Sequence, residues 1–289
     1  MVDSAAHRLY LSHGMQTEVL DTRTEMWLGR VAQTPGVRGI ALAPELNRGY
    51  TSNASADSVT VFDLTTLDTV STVTVGGRPD AIVYDPKSQR LVVFNNRSQD
   101  IGVIDAVRNE LIASVPAGGE PESAAVAADG TVYFNVEDTN ELAVFDPVAL
   151  RVRARHRLYP CQRPTGLAID AAGRVASVCR NQWLVVSGAD GQSLGSARIG
   201  AGSDAVVWLN GAAYSADGLD GRLSVVAPAS GGGFVALAGV PTALGSRTLA
   251  ADAATRLLYV PAASFEPAKD GGRPKGVAGS LRLLVFATP

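Results

Sequence analysis

Short apolar runs recur along the chain, and each ends in two apolar residues followed by a turn-forming residue. The copies are Val19-Leu20-Asp21, Val61-Phe62-Asp63, Val103-Ile104-Asp105, Val144-Phe145-Asp146, Val185-Val186-Ser187, Val225-Val226-Ala227 and Val285-Phe286-Ala287. Their third residues are separated by 42, 42, 41, 41, 40 and 60 positions. A repeat of about 41 residues therefore runs through the whole chain, with an insertion in its last copy.

Each repeat contains four shorter runs rich in β-branched and aromatic residues. In one copy they cover 79–86, 90–95, 101–105 and 111–115, and Asp, Pro, Asn and Gly residues lie at the turns between them. No segment between these runs has a helical periodicity long enough to predict a helix. Such a pattern predicts four antiparallel strands per repeat. The Asp that ends the third run is suited to the first position of a tight turn, where its carboxylate accepts backbone N–H groups.

Seven such repeats predict an all-β fold, a seven-bladed β-propeller with four-stranded antiparallel blades. We expect residues 1–289 to form a single propeller domain. The predicted blades cover approximately 1–31, 32–75, 76–117, 118–158, 159–199, 200–240 and 241–289.

The first and last blades are predicted to be incomplete. The first has only Val2-Asp3 in place of an innermost strand, and the last ends on its third strand. One explanation is a natural protein that starts upstream of Met1, with an export signal and two further strands. The alternative is a natural, open-ended variant.

The repeats resemble those of the YVTN-type β-propellers, a group of mostly exported bacterial proteins. The resemblance lies in segments such as Arg48-Gly49-Tyr50-Thr51-Ser52-Asn53, Ser58-Val59-Thr60-Val61-Phe62-Asp63 and Pro164-Thr165-Gly166-Leu167-Ala168-Ile169-Asp170, and it extends over essentially the whole chain. WD40 hallmarks are missing, since no Gly-His opens a unit and no Trp-Asp closes a third strand. The resemblance implies a propeller fold and a periplasmic or extracellular location, but it does not assign a function.

Composition excludes several classes of protein. The 289 residues carry a net charge of −3, too close to zero for a general polyanion binder. No run of 18 apolar residues is present, so no membrane span is predicted. The chain has three histidines, and only His13 lies in one of the loops that we assign below to the mouth of the central channel. The G-x-S-x-G sequence at 191–195 falls in a predicted β-hairpin, where the hydrolase motif does not occur.

Propeller topology places the loops entering each innermost strand on the same face as the loops leaving each second strand. We expect these loops to surround the mouth of a central channel and to bind the ligand. The predicted mouth residues are His13, Arg38, Asn53, Asp80, Asn95, Glu122, Asn135, Glu137, Arg180, Asp204, Asp217 and Arg247. Three of them, Asp80, Glu122 and Asp204, are carboxylates that would suit an oxygen-coordinated cation such as Ca²⁺, the one cofactor that the sequence suggests.

Two further features are expected on this face. Folding the fifth-blade hairpin about residues 171–173 places Thr165 opposite Cys179 and brings Cys161 within reach of Cys179. The two cysteines then form either a disulfide, which fits export, or a pair of buried free thiols. The insertion 264–280 is either a lid over the mouth or a disordered surface loop.

The sequence therefore predicts a monomeric, exported, non-catalytic propeller that binds a small molecule, an ion or a protein partner at its mouth. One alternative is a lyase or hydrolase that uses the mouth carboxylates and His13 on a small polar substrate. The other is single-stranded nucleic-acid binding, which the modest basic content and the scarcity of mouth aromatics argue against.

Overall fold

The computed structural model describes residues 1–266 and 275–288. It consists of consecutive antiparallel sheets connected by short turns, and the chain folds as an all-β, seven-bladed β-propeller. Two compact units divide it, Met1–Arg157 and Leu158–Pro289. Among the described residues, no helix is long and apolar enough to cross a membrane.

Unit 1 (Met1–Arg157) contains blades 1 to 4, each a sheet of four strands in sequence order. Blade 1 contains β1 (Val2–Asp3), β2 (Arg8–His13), β3 (Gln16–Asp21) and β4 (Trp27–Val31). Blade 2 contains β5 (Val37–Ala43), β6 (Arg48–Asn53), β7 (Ser58–Asp63) and β8 (Thr69–Thr74). Blade 3 contains β9 (Pro79–Asp85), β10 (Arg90–Asn95), β11 (Asp100–Asp105) and β12 (Glu110–Pro116). Blade 4 contains β13 (Pro121–Val126), β14 (Val132–Val136), β15 (Glu141–Asp146) and β16 (Arg151–Arg157).

Unit 2 (Leu158–Pro289) contains blades 5 to 7. Blade 5 contains β17 (Pro164–Ile169), β18 (Val175–Cys179), β19 (Trp183–Ser187) and β20 (Ser193–Arg198). Blade 6 contains β21 (Ser203–Leu209), β22 (Ala212–Asp217), β23 (Arg222–Pro228), β24 (Phe234–Ala236) and β25 (Val240–Pro241), the last two pairing with β23 in turn. Blade 7 contains β26 (Ala250–Asp252), β27 (Leu257–Ala262) and β30 (Arg282–Ala287), and β28 (Phe265–Glu266) pairs with β29 (Lys275–Gly276) in the inserted segment.

The incomplete blades agree with the sequence prediction. Blade 1 has only Val2–Asp3 as its first strand, and the described part of blade 7 ends on its third strand, β30. Each repeat of the sequence therefore corresponds to one sheet of the structure.

The hydrophobic core of each unit lies between consecutive blades. Phe94 of blade 3 packs on Phe134 of blade 4, with ring centroids 5.0 Å apart, and Tyr10 of blade 1 lies 6.0 Å from Phe62 of blade 2. All four aromatic side chains are fully buried. A blade has two apolar faces, and stacking on its neighbours removes both from water.

Turn aspartates hold the hairpins after the third strands. Asp21, Asp63, Asp105 and Asp146 each accept hydrogen bonds from the backbone N–H groups two and three residues later. Backbone N–H donation is the main cause that lowers the pKa of Asp21, Asp63 and Asp105. At Asp146 burial acts to raise the pKa, but two backbone N–H groups and the Arg153 guanidinium outweigh it, so this pKa is also lowered. These four residues, the turn aspartates, confirm the predicted turn chemistry.

Candidate functional site

A β-bulge opens the innermost strand of blades 2 to 6. In blade 2, Val37 pairs with Asn53 and Ile40 pairs with Thr51, so two residues of β5 lie opposite Ser52 alone. Corresponding shifts occur in β9, β13, β17 and β21. The first bulged residues are Arg38, Asp80, Glu122, Thr165 and Asp204. A bulge re-aims side chains relative to the regular pleat, so these five side chains depart from the alternation that the rest of each strand follows.

The second bulged residue is small in every case, and the packing of neighbouring strands explains why. A Cβ atom added to Gly39 would lie 2.8 Å from the carbonyl oxygen of Asp80 in the next blade. One added to Gly166 would lie 2.6 Å from the Cα atom of Ala205. The innermost strands therefore approach one another most closely at the bulges, which brings the first bulged residues of adjacent blades together.

In unit 1 the bulges form a charged surface that we call the unit-1 rim, defined by Arg38, Asp80 and Glu122. The Arg38 guanidinium lies 3.9 Å from the Asp80 carboxylate, and both side chains are partly exposed. Asn96 donates a hydrogen bond of 3.4 Å to the Glu122 carboxylate. Exposed pairs of this kind contribute little to stability.

In unit 2 the corresponding positions hold Thr165, Asp204 and the Arg247 side chain from the loop before β26. The Arg247 guanidinium lies 3.5 Å from the Asp204 carboxylate. Thr165 is buried and donates through its hydroxyl group, with the carbonyl oxygens of Val178 and Ser203 at 3.2 and 3.0 Å. Thr165 thus connects blades 5 and 6 structurally.

Several residues that the sequence assigned to the mouth are enclosed within the protein. Asn53, Asn95, Asn135 and Asp217 are 0% exposed, and Glu137 is 3% exposed. The sequence did not predict this burial. The loop that enters each blade lies against the end of the second strand of the same blade, with backbone hydrogen bonds from Ala54 to Gly36, from Asn96 to Arg78 and from Gly218 to Gly202. His13 and Arg180 are exposed at the ends of β2 and β18, as expected for surface residues.

Two of the buried residues organise hydroxyl groups around them. The Asn53 amide donates to Thr60 at 2.8 Å and to Ser58 at 3.2 Å, and its carbonyl accepts from Thr51 at 3.0 Å. Asp217 accepts from three serine hydroxyls and from the backbone N–H of Gly200. The Asn53 network holds the end of β6 in unit 1, next to the bulge that carries Arg38, and the Asp217 network holds the loop that enters blade 6 in unit 2.

Asn95 occupies the same position in blade 3 but lacks the equivalent hydroxyl groups. Val93 stands where blade 2 has Thr51, and Gly102 stands where it has Thr60. Both polar atoms of the Asn95 side chain are buried without a hydrogen-bond partner within the described ranges. An unsatisfied buried amide is costly, so this position is a weak point of blade 3.

Cys161 and Cys179 form a disulfide with their Cα atoms 5.5 Å apart. The bulge in β17 makes Pro164, rather than the predicted Thr165, the partner of Cys179 across the sheet. Asn181 completes the loop, since its side chain accepts from the backbone N–H of Gln162 and donates to the carbonyl of Pro160. The loop that enters blade 5 is therefore held covalently and by hydrogen bonds.

The predicted calcium ligands do not form a cluster. Across 1–266 and 275–288, no three His, Cys, Asp or Glu side chains are grouped so that they could hold a metal ion. Asp80 and Asp204 each lie beside an arginine instead, which satisfies part of their charge. Two of the three carboxylates that the sequence suggested for a cation, Asp80 and Asp204, thus belong to mixed-charge pairs, and the third, Glu122, accepts a hydrogen bond from Asn96.

The predicted lid can be followed only in part. Residues 267–274 lie outside the described part of the chain. The flanking strands β28 and β29 pair with each other, and a Cβ atom added to Gly245 would lie 2.5 Å from the Phe265 ring. Because Gly245 belongs to the loop before β26, the start of the insertion packs on the entrance to blade 7.

A cavity of about 450 Å³ lies elsewhere in unit 1, at the opposite ends of the strands in blades 3 and 4. Its lining includes Asp85, Lys87, Asp129, Asp146 and Arg153. The carboxylates of Asp85 and Asp146 are occupied by backbone N–H groups of their own turns, and Arg153 pairs with Asp146. Sequence reasoning did not find this cavity, because hairpin turns from two blades form it and no single motif identifies it.

No protein-family model matches the chain, and no curated protein matches its sequence. Solved structures, in contrast, match over nearly its whole length. The structure titled U3-55K has 9% identity over 99% of this chain and 93% of its own, with a TM-score of 0.82. The RRP9 WD40 repeats share 9% identity over 90% and 85% of the two chains, with a TM-score of 0.78. Kuenenia stuttgartiensis hydrazine synthase shares 17% identity over 90% of each chain, with a TM-score of 0.76. At these identities the likeness establishes the propeller fold alone.

Proposed function

We propose that the protein is a non-catalytic binding propeller whose unit-1 rim takes a polar ligand carrying both signs of charge, such as a charged peptide segment of a protein partner. The observation that carries this proposal is the alignment of Arg38, Asp80 and Glu122 on three successive bulges. Their side chains remain partly exposed, and the Arg38 guanidinium lies 3.9 Å from the Asp80 carboxylate.

Electrostatic complementarity explains why such a rim favours a ligand of mixed charge. A ligand that carries only positive charge would be repelled by Arg38, and a ligand that carries only negative charge would be repelled by Asp80 and Glu122. A peptide with a basic and an acidic side chain can pair with both kinds of group at once. Because exposed charges are screened by salt, we expect the affinity to fall as ionic strength rises.

An exported location is part of the same proposal and is supported by the Cys161–Cys179 disulfide. Disulfides persist in oxidising compartments and are rare in the reducing cytosol. Counting free thiols by mass spectrometry after alkylation, on protein from its native host, tests this. Two alkylated cysteines in the native protein would contradict an oxidising location.

A thermal-shift screen tests the rim. The probes are CaCl₂, arginine, glutamate and the dipeptide Arg-Glu, each on the wild type and on the Asp80→Asn/Glu122→Gln variant. At a concentration 100 times its dissociation constant, a ligand stabilises the folded state by about 2.7 kcal/mol, which raises the midpoint by roughly 5 °C in a chain of this size.

We expect the dipeptide to raise the midpoint of the wild type and not that of the variant. The matched control is Asp68→Asn/Glu110→Gln, which removes the same two charges from exposed positions, one just before β8 and the other at the start of β12. A shift that survives in the rim variant, or that is lost equally in the control, contradicts a site at the rim.

A further inference from the structure

Blade 5 carries a cluster of arginines at one end of its sheet, where β18 ends and β17 and β19 begin. Arg163 directly precedes β17, Arg180 directly follows β18, and Arg198 is the last residue of β20. All three residues are exposed. We call this surface the blade-5 arginine patch, defined by Arg163, Arg180 and Arg198.

Hydrogen bonds bring the three segments of the patch together. The backbone N–H of Arg180 donates to the carbonyl of Arg163 at 3.2 Å. The Arg198 guanidinium donates to the carbonyl of Asn181 at 3.2 Å and lies over the Trp183 ring, 4.3 Å from its centroid. The arginines therefore belong to one continuous surface within unit 2.

The segments that form the patch are basic. Residues 158–163, 180–183 and 198–199 contain three arginines and no aspartate or glutamate. Charge complementarity therefore favours an anionic partner. Arginine also binds a carboxylate through two parallel hydrogen bonds, so the guanidinium groups are well suited to carboxylate side chains.

The turn after β18 is held in the same way as in neighbouring blades, but without an acidic residue. Asp138 of blade 4 and Asp220 of blade 6 each accept a backbone N–H group from the loop that enters their own blade, at 2.8 Å. In blade 5 the neutral side chain of Asn181 accepts the backbone N–H of Gln162, at 3.0 Å. This turn therefore adds no negative charge beside the arginines.

An exposed tyrosine lies in the loop that enters blade 5. Tyr159 is 85% exposed, more than any other large apolar side chain in the described ranges. The Cys161–Cys179 disulfide and the hydrogen bond from the Asn181 side chain to the carbonyl of Pro160, at 2.9 Å, hold this loop. Tyrosine and arginine dominate the binding energy of many protein interfaces, and a loop that is fixed before binding loses little conformational entropy.

We propose that the blade-5 arginine patch binds an acidic segment of a partner polypeptide. The carboxylates of the segment pair with the arginines, and an apolar side chain of the segment packs on Tyr159. Single-stranded nucleic acid fits less well, because it needs several aromatic faces on which bases stack. Arg198 already occupies one face of Trp183, which leaves Tyr159 as the strongly exposed ring beside the patch.

The probe is the fluorescein-labelled peptide Glu-Glu-Leu-Glu-Glu-Gly, and its binding to the 289-residue chain is measured by fluorescence anisotropy. The control peptide has glutamine in place of every glutamate, which removes the charge and keeps the length. A fluorescein-labelled oligothymidylate tests the nucleic-acid alternative. Titrations in about 0.05 and 0.3 M NaCl measure how much of the affinity depends on exposed charges.

We expect saturable binding of the acidic peptide that weakens at the higher salt concentration, and no binding of the glutamine peptide. Arg163→Gln/Arg180→Gln should weaken binding about ten-fold, because two carboxylate–arginine pairs are lost. Tyr159→Ala should weaken binding several-fold, and it removes a ring that lies mostly in solvent, so the fold stays intact. The matched control Arg108→Gln/Arg151→Gln removes the same charge from exposed positions in unit 1 and should leave the affinity unchanged.

Three outcomes would overturn the proposal. One is the absence of acidic-peptide binding to a chain with native circular dichroism. Another is equal weakening by Arg163→Gln/Arg180→Gln and by the control variant, which would indicate attraction to the overall charge. The third is oligothymidylate binding that Arg163→Gln/Arg180→Gln abolishes while the peptide fails to bind, which would assign the patch to nucleic acid.

This test is independent of the unit-1 rim. The Asp80→Asn/Glu122→Gln variant changes only residues of unit 1 and should bind the acidic peptide as the wild type does. Failure of the rim proposal and failure of this one are therefore distinguishable.

Discussion

Replacing Gly102 by serine should stabilise blade 3 by giving Asn95 a hydrogen-bond partner. Gly102 lies across the sheet from Val93, at the position where blade 2 has Thr60. A Cβ atom added to Gly102 would lie 3.5 Å from the Asn95 amide nitrogen and 3.4 Å from a methyl group of Leu111, both ordinary contact distances. A serine hydroxyl on that Cβ could reach the amide as the Thr60 hydroxyl reaches Asn53, at 2.8 Å.

The magnitude follows from the two contributions of the substitution. A new intramolecular hydrogen bond contributes about 1 kcal/mol, and relief of a buried unsatisfied group can contribute up to about 3 kcal/mol. Loss of a glycine from a strand adds roughly 0.5–1 kcal/mol, which the Gly102→Ala variant measures alone. We therefore expect Gly102→Ser to be more stable than Gly102→Ala by about 1 kcal/mol.

Urea unfolding followed by circular dichroism measures this difference, provided that the dependence on denaturant is the same in both variants. The reciprocal variant, Thr60→Ala, should cost about 1 kcal/mol or more, because it leaves the Asn53 amide with one partner fewer. A Gly102→Ser protein no more stable than Gly102→Ala would refute the reasoning, since the hydroxyl would then be buried without a partner.

Three further predictions concern the turns, the bulges and the disulfide. The turn aspartates have pKa values below the value of about 3.9 for an aspartate in the unfolded chain, so the stability that they contribute is complete above that pH. It is lost as the pH falls through the pKa values of the folded state. Acid titration of the unfolding free energy should show this loss, and Asp146→Asn should make the dependence of the unfolding free energy on pH less steep. Gly166→Val should destabilise unit 2 by several kcal/mol, because the new side chain would overlap the backbone of Ala205. The control is Gly173→Val, at a turn glycine with open space around it, which should cost mainly backbone strain. Thermal unfolding measures both variants. Replacing Cys161 and Cys179 by serine should lower the unfolding free energy by about 3 kcal/mol, measured by urea titration. A urea midpoint equal to that of the wild type would contradict a stabilising role for the disulfide.

Sequence periodicity was sufficient to predict the strands because each strand depends on local alternation of residues. The repeat of Val-Phe-Asp and its variants gave the third strands and the turn aspartates that follow them. That the described part of blade 7 ends on β30 was also predictable, since this required only counting strands after the insertion.

The candidate site was harder to predict because it depends on register. Arg38, Asp80 and Glu122 were selected because they precede apolar runs, but the sequence did not indicate the bulges that re-aim them. The burial of Asn53 and Asp217 was not predicted, for a related reason. Polar residues at strand ends suggest a surface, whereas here hydroxyl groups on neighbouring strands make it favourable to bury them.

The cavity of blades 3 and 4 shows the same limit. Its lining comes from turns about 60 residues apart in sequence, so only the packed structure brings Asp85 and Asp146 to one place. No local pattern predicts such a juxtaposition.

Hydrogen–deuterium exchange of unit 1, with and without the Arg-Glu dipeptide, tests the central claim most directly. If the rim binds the ligand, protection should appear at the bulged starts of β5, β9 and β13, in residues 37–40, 79–82 and 121–124. Protection confined to the cavity turns at 85–90, 127–131 and 146–150, or no protection anywhere in unit 1, would contradict the rim as the binding site.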